Sequence, residues 1–532
     1  MQLHKIIYRV NAPLLLTVLG ILLFLLFNGS CFTPAQNGGD EGFELCKAFQ
    51  MNGPDAWHKK LWNDQPLLLD ELYRLAFRLM GTHAWSARLV NLGFLGIILI
   101  SLGSMIPKST PFRWIGIAAV WSVLLSHTIT YELSISAMKE LPAFALAVLS
   151  LAVITTQIPK QNSSKHLFIS GCIFAFAVQI KYTALLLLPT IICSILINTL
   201  YKKRFNKETM KLLLHTFKIW SATFLLASIM LLICFWLLHP NWSWAECLRS
   251  HFGKCLPEYV AEKSGYQYSW SRLLDGYWFY PLLLLGIWIS FQSSKYYRCK
   301  LLPSLLFILI ICGVHLFHRP FWGYYILHFV AAFALLTATV MEPVLKKFSA
   351  LQKQKDGGTG ILFAATLAFA TLFISGAFSG IQENLAFLSQ FKNRNESPLV
   401  NAMRKYAANT KWIYTRENFL AFQAQLPIPP NLVLLVKKRF WNGQINSQEI
   451  LKEINQIEPE QLLLKQEELQ QPKWKEWVET NYVKITSYGG LVLYVHKRLQ
   501  PISIPKDKQI QLLLKNFGLE QKDEDFENNQ KQ

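Results

Sequence analysis

The sequence predicts a polytopic α-helical membrane protein with a small α/β soluble domain at its C-terminal end. Of the 532 residues, 52% are apolar and only 16% are charged, whereas a typical soluble domain carries about 25% charged residues. The deficit is confined to residues 10–380, which form a series of long apolar runs, and the rest has the composition of a soluble protein. This shift predicts a membrane domain over 1–380 and a soluble domain over 381–532.

Eleven apolar runs are candidates for membrane spans, each of which needs about 20 residues in a helix. We expect spans near 10–28, 86–106, 113–131, 139–157, 166–181, 183–200, 213–238, 277–293, 301–318, 322–341 and 360–378. The first run could instead be a signal peptide. It lacks a small-x-small cleavage site and is long for such a peptide, so we expect it to be retained.

The stretch 166–200 decides the topology because Lys181 interrupts it. Two helices divided at Lys181 place the short basic loops on the side of the N-terminus, as the positive-inside rule requires. A single helix would move every later basic loop to the opposite side. We therefore expect eleven spans in a cell (inner) membrane and a cytoplasmic N-terminus. The soluble domain and the long loops 30–85 and 239–276 then lie outside the cytoplasm.

The net charge of +20 follows from the same arrangement. Lysine and arginine collect in short loops between apolar runs, and the sequence carries no nucleic-acid-binding motif, so we expect no nucleic-acid partner. Two pairs of cysteines share an outside loop, Cys31 with Cys46 and Cys247 with Cys255. In an oxidising compartment each pair could form a disulfide, or it could remain as free thiols.

The soluble domain alternates strand-like and helix-like segments. Short apolar runs predict buried strands at 411–415, 431–436, 461–466 and 491–496. Helix-like stretches at 446–457 and 473–481 lie between them. This alternation predicts a small α/β sheet. No glycine-rich phosphate loop follows any of these strands, so we expect no nucleotide site.

Acidic residues in the first outside loop are candidates for chemistry. Asp40 and Glu41 follow the first span closely, and Asp64 lies in the polar and aromatic segment 62–67. Two carboxylates near the membrane surface can act as a general base and its orienting partner. For each of them, the simpler explanation is an ordinary solvated loop.

Basic residues expected at the same face suit an anionic ligand. A lysine in hydrocarbon is costly, so Lys181 is expected to face a cavity or a partner, such as a phosphate. Extending its ammonium to the interface is the alternative. Arg319 follows His318 in an outside loop, and an arginine can bind phosphate through two hydrogen bonds. A solvated loop charge is the alternative for Arg319.

The order of these motifs resembles a known family. Its elements are the acidic pair after the first span, the segments 63–68, 77–89 and 177–183, and the late span that begins at Tyr324 and Tyr325. Together they resemble the membrane glycosyltransferases with the GT-C fold, which include protein O-mannosyltransferases and bacterial transferases that add aminoarabinose to lipid A. The resemblance covers roughly residues 10–340, and the soluble tail is similar to the outer domain of many bacterial members.

The resemblance implies an enzyme that transfers a sugar from a polyprenyl-phosphate donor, with dolichyl or undecaprenyl phosphate as the membrane lipid. The extracytoplasmic acceptor would be a glycan, lipid or protein, attacking in one inverting displacement. Asp40 would be the general base, Glu41 its neighbour or substitute, and Asp64 an orienting group. The donor-binding set would be Lys181, Arg319, His318, Tyr324, Tyr325 and, more in a structural role, Arg88. Gln65 stands where aminoarabinose transferases commonly have lysine, which puts that substrate in doubt.

No cofactor is predicted, although a divalent metal is left open. His239 and His251 lack the spacing of metal ligands on a helix. The alternative function is a transporter or flippase of lipid-linked saccharides. Such a protein needs a polar path through the membrane, and the spans contain few charges apart from Lys181 and no clear inverted repeat.

Overall fold

The computed structural model describes residues 12–28, 31–52, 62–157, 164–200, 206–241, 244–265, 279–353, 395–470 and 472–499, with a few isolated positions at 273 and between 376 and 389. The predicted domain boundary near 380 and nearly all of the predicted span 360–378 lie outside these residues.

The membrane domain is a bundle of helices joined by short connections and two long loops. Its helices are α1 (Ala12–Asn28), α2 (Glu41–Gln50), α3 (Leu68–Met80), α4 (Ala84–Ser104), α5 (Arg113–Leu125), α6 (Thr128–Ser134), α7 (Glu140–Gln157), α8 (Ser164–Ile180), α9 (Leu188–Leu200), α10 (Lys207–Leu238), α11 (Trp244–Phe252), α12 (Val260–Gly265), α13 (Tyr280–Gln292), α14 (Lys295–Phe317) and α15 (Ile326–Lys353). Short 3₁₀ turns cover Tyr182–Leu187, Pro257–Tyr259 and Gly323–Tyr325.

Helices coincide with ten of the eleven predicted spans. Five helical segments are long and apolar enough to cross a membrane on their own: Ala84–Ser104, Tyr182–Leu200, Lys207–Leu238, Lys295–Phe317 and Gly323–Ala350. Helices α5 and α6 form a sixth candidate if their 80° bend is a break within one span. The predicted spans near 10–28, 139–157, 166–181 and 277–293 correspond to shorter apolar helices.

The division predicted at Lys181 is present in the structure. Helix α8 ends at Ile180, and Lys181 has an extended backbone with φ −157° and ψ 135°. The 3₁₀ turn that follows leads directly into α9. The lysine therefore lies at a break between two apolar helices.

The first long loop contains two amphipathic helices, α2 and α3. In α3, apolar residues recur every three or four positions, and Leu69, Tyr73, Ala76 and Phe77 are buried on one side. Helix α2 packs against the soluble domain. At Gly42, an added Cβ would stand 2.6 Å from the backbone nitrogen of Phe419, so only glycine permits this close approach.

The soluble domain is built on a mixed four-stranded sheet. Its strands are β1 (Ile413–Thr415), β2 (Gln461–Lys465), β3 (Tyr482–Tyr488) and β4 (Leu491–His496), in the spatial order β1-β2-β4-β3. Strands β1 and β2 are parallel, with Tyr414 opposite Leu462, and the other neighbours are antiparallel. The helices are α16 (Pro398–Arg404), α17 (Asn418–Gln423), α18 (Lys437–Trp441), α19 (Ser447–Ile457) and α20 (Pro472–Asn481).

One strand prediction is wrong, and one strand of the sheet was not predicted. The segment 431–436 is not a strand, although Leu432, Val433 and Leu434 are buried. An apolar run indicates burial rather than strand pairing, and Leu434 lines the cavity between the soluble domain and the membrane domain. Strand β3 was missed because it is an edge strand with mostly exposed side chains, so it lacks an apolar run.

The soluble domain is seated on both long loops of the membrane domain. The Gln425 side-chain amide donates to the carbonyl oxygen of Thr82 (3.1 Å), and the Cys46 thiol lies 3.0 Å from the carbonyl oxygen of Asn418. On the second loop, the backbone N–H of Leu256 donates to the carbonyl oxygen of Trp441 (2.7 Å). These contacts fix the soluble domain over one end of the bundle.

The four cysteines of the two long loops are free thiols in the structure. Cys31, Cys46 and Cys247 are buried, and Cys255 is half-buried.

Candidate functional site

A cavity of about 240 Å³ lies at the junction of the two domains. Its wall combines the first long loop, the beginning of α7, the break between α8 and α9, and the 3₁₀ turn before α15. Residues 434–438 of the soluble domain cover it. The charged residues that line it are Asp40, Glu44, Asp64, Lys139, Glu140, Lys181, Lys437 and Lys438.

Asp40 stands in the turn that starts α2. Its backbone carbonyl accepts from the N–H groups of Phe43 (3.1 Å) and Glu44 (3.3 Å), which fixes the residue at the helix N-terminus. Within the described part of the chain, its carboxylate has no hydrogen-bond or ion-pair partner. Burial, and next the nearby Glu140 carboxylate, raise the pKa of Asp40 above its ordinary value. An unpaired carboxylate of raised pKa is suited to accept a proton.

Glu41 points away from the cavity although it is next to Asp40 in sequence. Its carboxylate forms a two-pronged ion pair with Arg88, at 2.8 Å from Nε to Oε1 and 2.9 Å from Nη2 to Oε2. It also accepts from the backbone N–H groups of Asn37 (2.7 Å) and Ala137 (3.0 Å). Both charged side chains are fully buried. This saturated pair ties together the loop before α2, helix α4 and the segment before α7, which is a structural arrangement.

Asp64 also lines the cavity, from the loop segment that precedes α3. Its Oδ2 is 3.9 Å from the Lys438 ammonium, and its backbone oxygen is 2.9 Å from Nε2 of His251. Burial alone would raise the pKa of Asp64, but Lys438 and further cations around it hold that pKa well below its usual range. Burial, and then Lys438, lower the pKa of His251 to about 4. Asp64 is therefore a carboxylate and His251 a neutral imidazole near neutral pH.

Lys181 faces the cavity from the break between α8 and α9. Its ammonium is paired with the Glu140 carboxylate at the beginning of α7. It also lies 4.5 Å from the ring centroid of Tyr324, within the range of a cation–π contact. The side chain is 10% exposed. The break in the helix thus supplies a lysine that is shielded from solvent and lines a polar cavity.

The other basic candidates lie apart from the cavity lining. Arg319 donates from Nη1 to the carbonyl oxygen of His315 (3.1 Å), and His318 is exposed. Tyr325 is buried against the rings of His315 and Phe321. Of the late-span candidates, Tyr324 is therefore the one that the structure brings to the cavity.

Sequence reasoning missed Glu140 and Lys438. A carboxylate at the edge of a predicted span carries the same cost as a lysine there, so Glu140 could have been found by the argument used for Lys181. Lys438 belongs to a run of three basic residues, 437–439, in the soluble domain. Because such runs are common on solvated surfaces, no feature of the sequence distinguishes it.

A buried charge network supports one wall of the cavity. Lys47 pairs with Glu44 (2.7 Å), and Lys139 pairs with Asp70 (3.0 Å) and Glu44 (3.3 Å). The Asn63 side chain donates to Asp70 Oδ2 (3.0 Å), which attaches the loop that carries the neighbouring aspartate. Burial raises the pKa of Glu44 to about 7, although both lysines oppose this shift. The network holds α2, α3 and the beginning of α7 in register.

Among the residues that the structure describes, no three histidine, cysteine, aspartate or glutamate side chains are grouped so that they could hold a metal ion.

Residues 64–244 match the family model described as dolichyl-phosphate-mannose-protein mannosyltransferase. The matched segment contains Asp64, Glu140 and Lys181, and it excludes Asp40 and Lys438. A comparison with curated protein sequences finds no match.

Two solved structures share the architecture of the chain. ArnT from Cupriavidus metallidurans bound to undecaprenyl phosphate aligns with a TM-score of 0.61 at 10% identity, over 90% of this chain and 97% of that chain. The same protein in the apo state gives a TM-score of 0.59 at 11% identity, with the same coverage. Such a likeness shows the fold. It confirms the predicted fold class, a multi-pass helical membrane protein with a small α/β domain, and the predicted resemblance to the GT-C fold.

Proposed function

We propose that this GT-C-fold protein is a glycosyltransferase that moves a sugar from a polyprenyl-phosphate donor to an acceptor outside the cytoplasm. The observation that carries the proposal is the cavity, in which an unpaired carboxylate, Asp40, shares an enclosed space with the lysines 181 and 438. The match of residues 64–244 to a mannosyltransferase family supports the reaction class. The fold shared with a protein bound to undecaprenyl phosphate supports the class of donor.

The donor phosphate would lie beside Lys181. This ammonium is at the end of a membrane helix, so a phosphate there would leave its polyprenyl chain among the apolar helices. The Glu140 carboxylate keeps the lysine in place, and Tyr324 covers it on one side. When the bond between the anomeric carbon and the phosphate oxygen breaks, the oxygen keeps the electron pair. A fixed cation stabilises the charge that builds there.

Asp40 would act as the general base. The acceptor nucleophile attacks the anomeric carbon and transfers its proton to the Asp40 carboxylate as the new bond forms. One displacement of this kind inverts the configuration at the anomeric carbon. A base works best when its pKa lies near the working pH, and the raised pKa of Asp40 favours this role over that of an ordinary surface aspartate.

Asp64 would orient the sugar or the acceptor. Its low pKa keeps it ionised, so it is suited to accept hydrogen bonds from hydroxyl or amino groups rather than to exchange protons. Glu41 and Arg88 would have a structural role next to the site, because their charges are already paired with each other and neither is available to a substrate.

We also propose that the protein lies in the cell (inner) membrane with the topology that the basic loops predict. The N-terminus is then cytoplasmic, and the 381–532 domain lies outside the cytoplasm. The contacts between the soluble domain and both long loops support a common side for all three. A cysteine introduced at an exposed position of the soluble domain, such as Lys465, should react with a membrane-impermeant maleimide. The reaction is followed in spheroplasts, which keep an intact inner membrane.

Mass spectrometry of cells with and without this protein tests the proposed function. We expect the loss of the protein to remove one sugar from an envelope lipid, glycan or protein and to leave its polyprenyl-phosphate donor in excess. The purified protein should release polyprenyl phosphate from that donor when the acceptor is added. Accumulation of the donor without any cleavage by the purified protein would instead indicate a transporter of lipid-linked saccharides.

A further inference from the structure

We infer that Lys438, a residue of the soluble domain, is the second cation for the phosphate of the lipid-linked donor. The inference rests on the proposed function and deepens it, because it makes the soluble domain a part of the active site. The membrane domain alone would then form an incomplete phosphate site.

The residues next to Lys438 fix its direction. Arg439 donates from Nη1 to the carbonyl oxygen of Asn431 (2.6 Å) and lies 4.6 Å from the ring centroid of Trp62. Trp441 is buried, and its indole N–H donates to Glu262 (3.1 Å). These side chains attach α18 to the rest of the soluble domain and to both long loops. Lys438, on the same short helix, is left facing the cavity.

The ammonium of Lys438 is largely shielded from solvent, but no carboxylate of a described residue is in direct contact with it. Its side chain is 19% exposed, and the nearest carboxylate oxygen, on Asp64, is 3.9 Å away. Within the described ranges, this ammonium donates no hydrogen bond. Removing an ammonium from water costs free energy unless an anion or hydrogen-bond acceptor compensates. A bound anion would supply that compensation.

Of the four described lysines that line the cavity, Lys139, Lys181, Lys437 and Lys438, the two assigned to the phosphate differ in this respect. Lys181 is already in direct contact with Glu140, so its charge is balanced before any ligand enters. Lys438 has only a distant ion pair and is free to turn toward a phosphate. The phosphate of a glycosyl donor is a diester with about one negative charge, and its departure as a monoester adds a second. Lys438 should therefore interact more strongly with the leaving phosphate than with the bound donor, which is the condition for accelerating the reaction.

The test compares three variants of the full-length purified protein: Lys438→Gln, Lys438→Arg and Lys465→Gln. Lys465 is a matched control because it lies in the same domain, pairs with Glu417 at 3.0 Å and is half-exposed away from the cavity. Binding of undecaprenyl phosphate and of uncharged undecaprenol is measured by calorimetry, with the thermal midpoint as the check on folding.

We expect Lys438→Gln to weaken undecaprenyl phosphate binding by about 10- to 100-fold, the range for losing a charge-assisted hydrogen bond. Its affinity for undecaprenol should stay unchanged, because that lipid carries no phosphate. Lys438→Arg should keep most of the affinity, and Lys465→Gln should bind as the wild type does.

Two results would overturn the inference. Unchanged phosphate binding by a folded Lys438→Gln protein would show that Lys438 does not contact the phosphate. Equal weakening of both lipids would show that Lys438 only holds the soluble domain in place. If the wild-type protein binds neither lipid, the proposed function fails as well, so the two failures can be told apart.

Discussion

Replacing Asp40 by asparagine tests the assignment of the base. The change keeps the shape of the side chain and removes its ability to accept a proton. General-base catalysis contributes about 10²- to 10⁴-fold to a rate, which is about 3–5 kcal/mol of transition-state stabilisation. We expect the rate of sugar transfer to fall by that factor. The carboxylate has no hydrogen-bond or ion-pair partner in the described residues, and its raised pKa means that its charge is unfavourable in the folded protein. Asparagine should therefore leave the thermal midpoint unchanged or raise it.

The pH dependence provides a second readout for the same variant. A base must be deprotonated, so the wild-type rate should fall as the pH is lowered through the pKa of Asp40. Burial and Glu140 raise that pKa, so the fall should begin above the pH at which an ordinary aspartate, with a pKa of about 3.9, would titrate. In the Asp40→Asn protein, this acid limb should be absent.

The assay follows the release of polyprenyl phosphate from a labelled lipid-linked sugar by protein reconstituted in lipid nanodiscs, under single-turnover conditions. Single turnover isolates the chemical step from product release. A folded Asp40→Asn protein that transfers sugar at the wild-type rate, with the acid limb intact, would refute Asp40 as the base.

Three further predictions concern the scaffold of the site. Arg88→Ala leaves the buried Glu41 carboxylate without its partner, so we expect a loss of about 3–5 kcal/mol, seen as a lower thermal midpoint. Gly42→Ala places a methyl group 2.6 Å from backbone of the soluble domain and should lower both thermal midpoint and activity, whereas Gly39→Ala, with open space around it, should change neither. Folded Glu44 keeps its proton up to about pH 7, above its ordinary value of 4.5. Stability should therefore fall as the pH rises from about 4.5 to 7, and thermal midpoints of Glu44→Gln should lack this component.

Membrane helices and their breaks could be predicted from the sequence because their physical causes are local. A run of about 20 apolar residues has few alternatives to a spanning helix. Lys181 marked its break because an ammonium in hydrocarbon is costly at any position. The same argument applies to Glu140, which was overlooked at the edge of a span. Pairing of these two residues across 41 positions is a tertiary property.

The contribution of the soluble domain could not be predicted in the same way. Lys438 reaches the cavity because α18 is fixed by contacts to Trp62 in the first long loop and to Glu262 in the second. The periodicity of the local sequence cannot predict contacts between segments so far apart in the chain. The segment 431–436 illustrates the same limit. Its apolar residues correctly indicate burial, but the segment pairs with no strand that the structure describes, and its end, Leu434–Val436, lines the cavity between the domains.

Glu41 shows why adjacency in sequence is a poor guide to shared chemistry. Asp40 and Glu41 are consecutive, but Asp40 lines the cavity and Glu41 is bound on both carboxylate oxygens by Arg88. The first turn of α2 directs them to different sides. Only the position of the helix relative to α4 determines which carboxylate is available.

The most direct test of a lipid-linked donor site is a cryo-electron microscopy structure of the full chain in nanodiscs with undecaprenyl phosphate. We expect density for the phosphate inside the cavity between the Lys181 and Lys438 ammonium groups, with the lipid chain running along the membrane helices and Asp40 facing the space left for the sugar. A phosphate found outside this cavity, or a cavity left empty at saturating lipid, would contradict the assignment of the cavity as the active site.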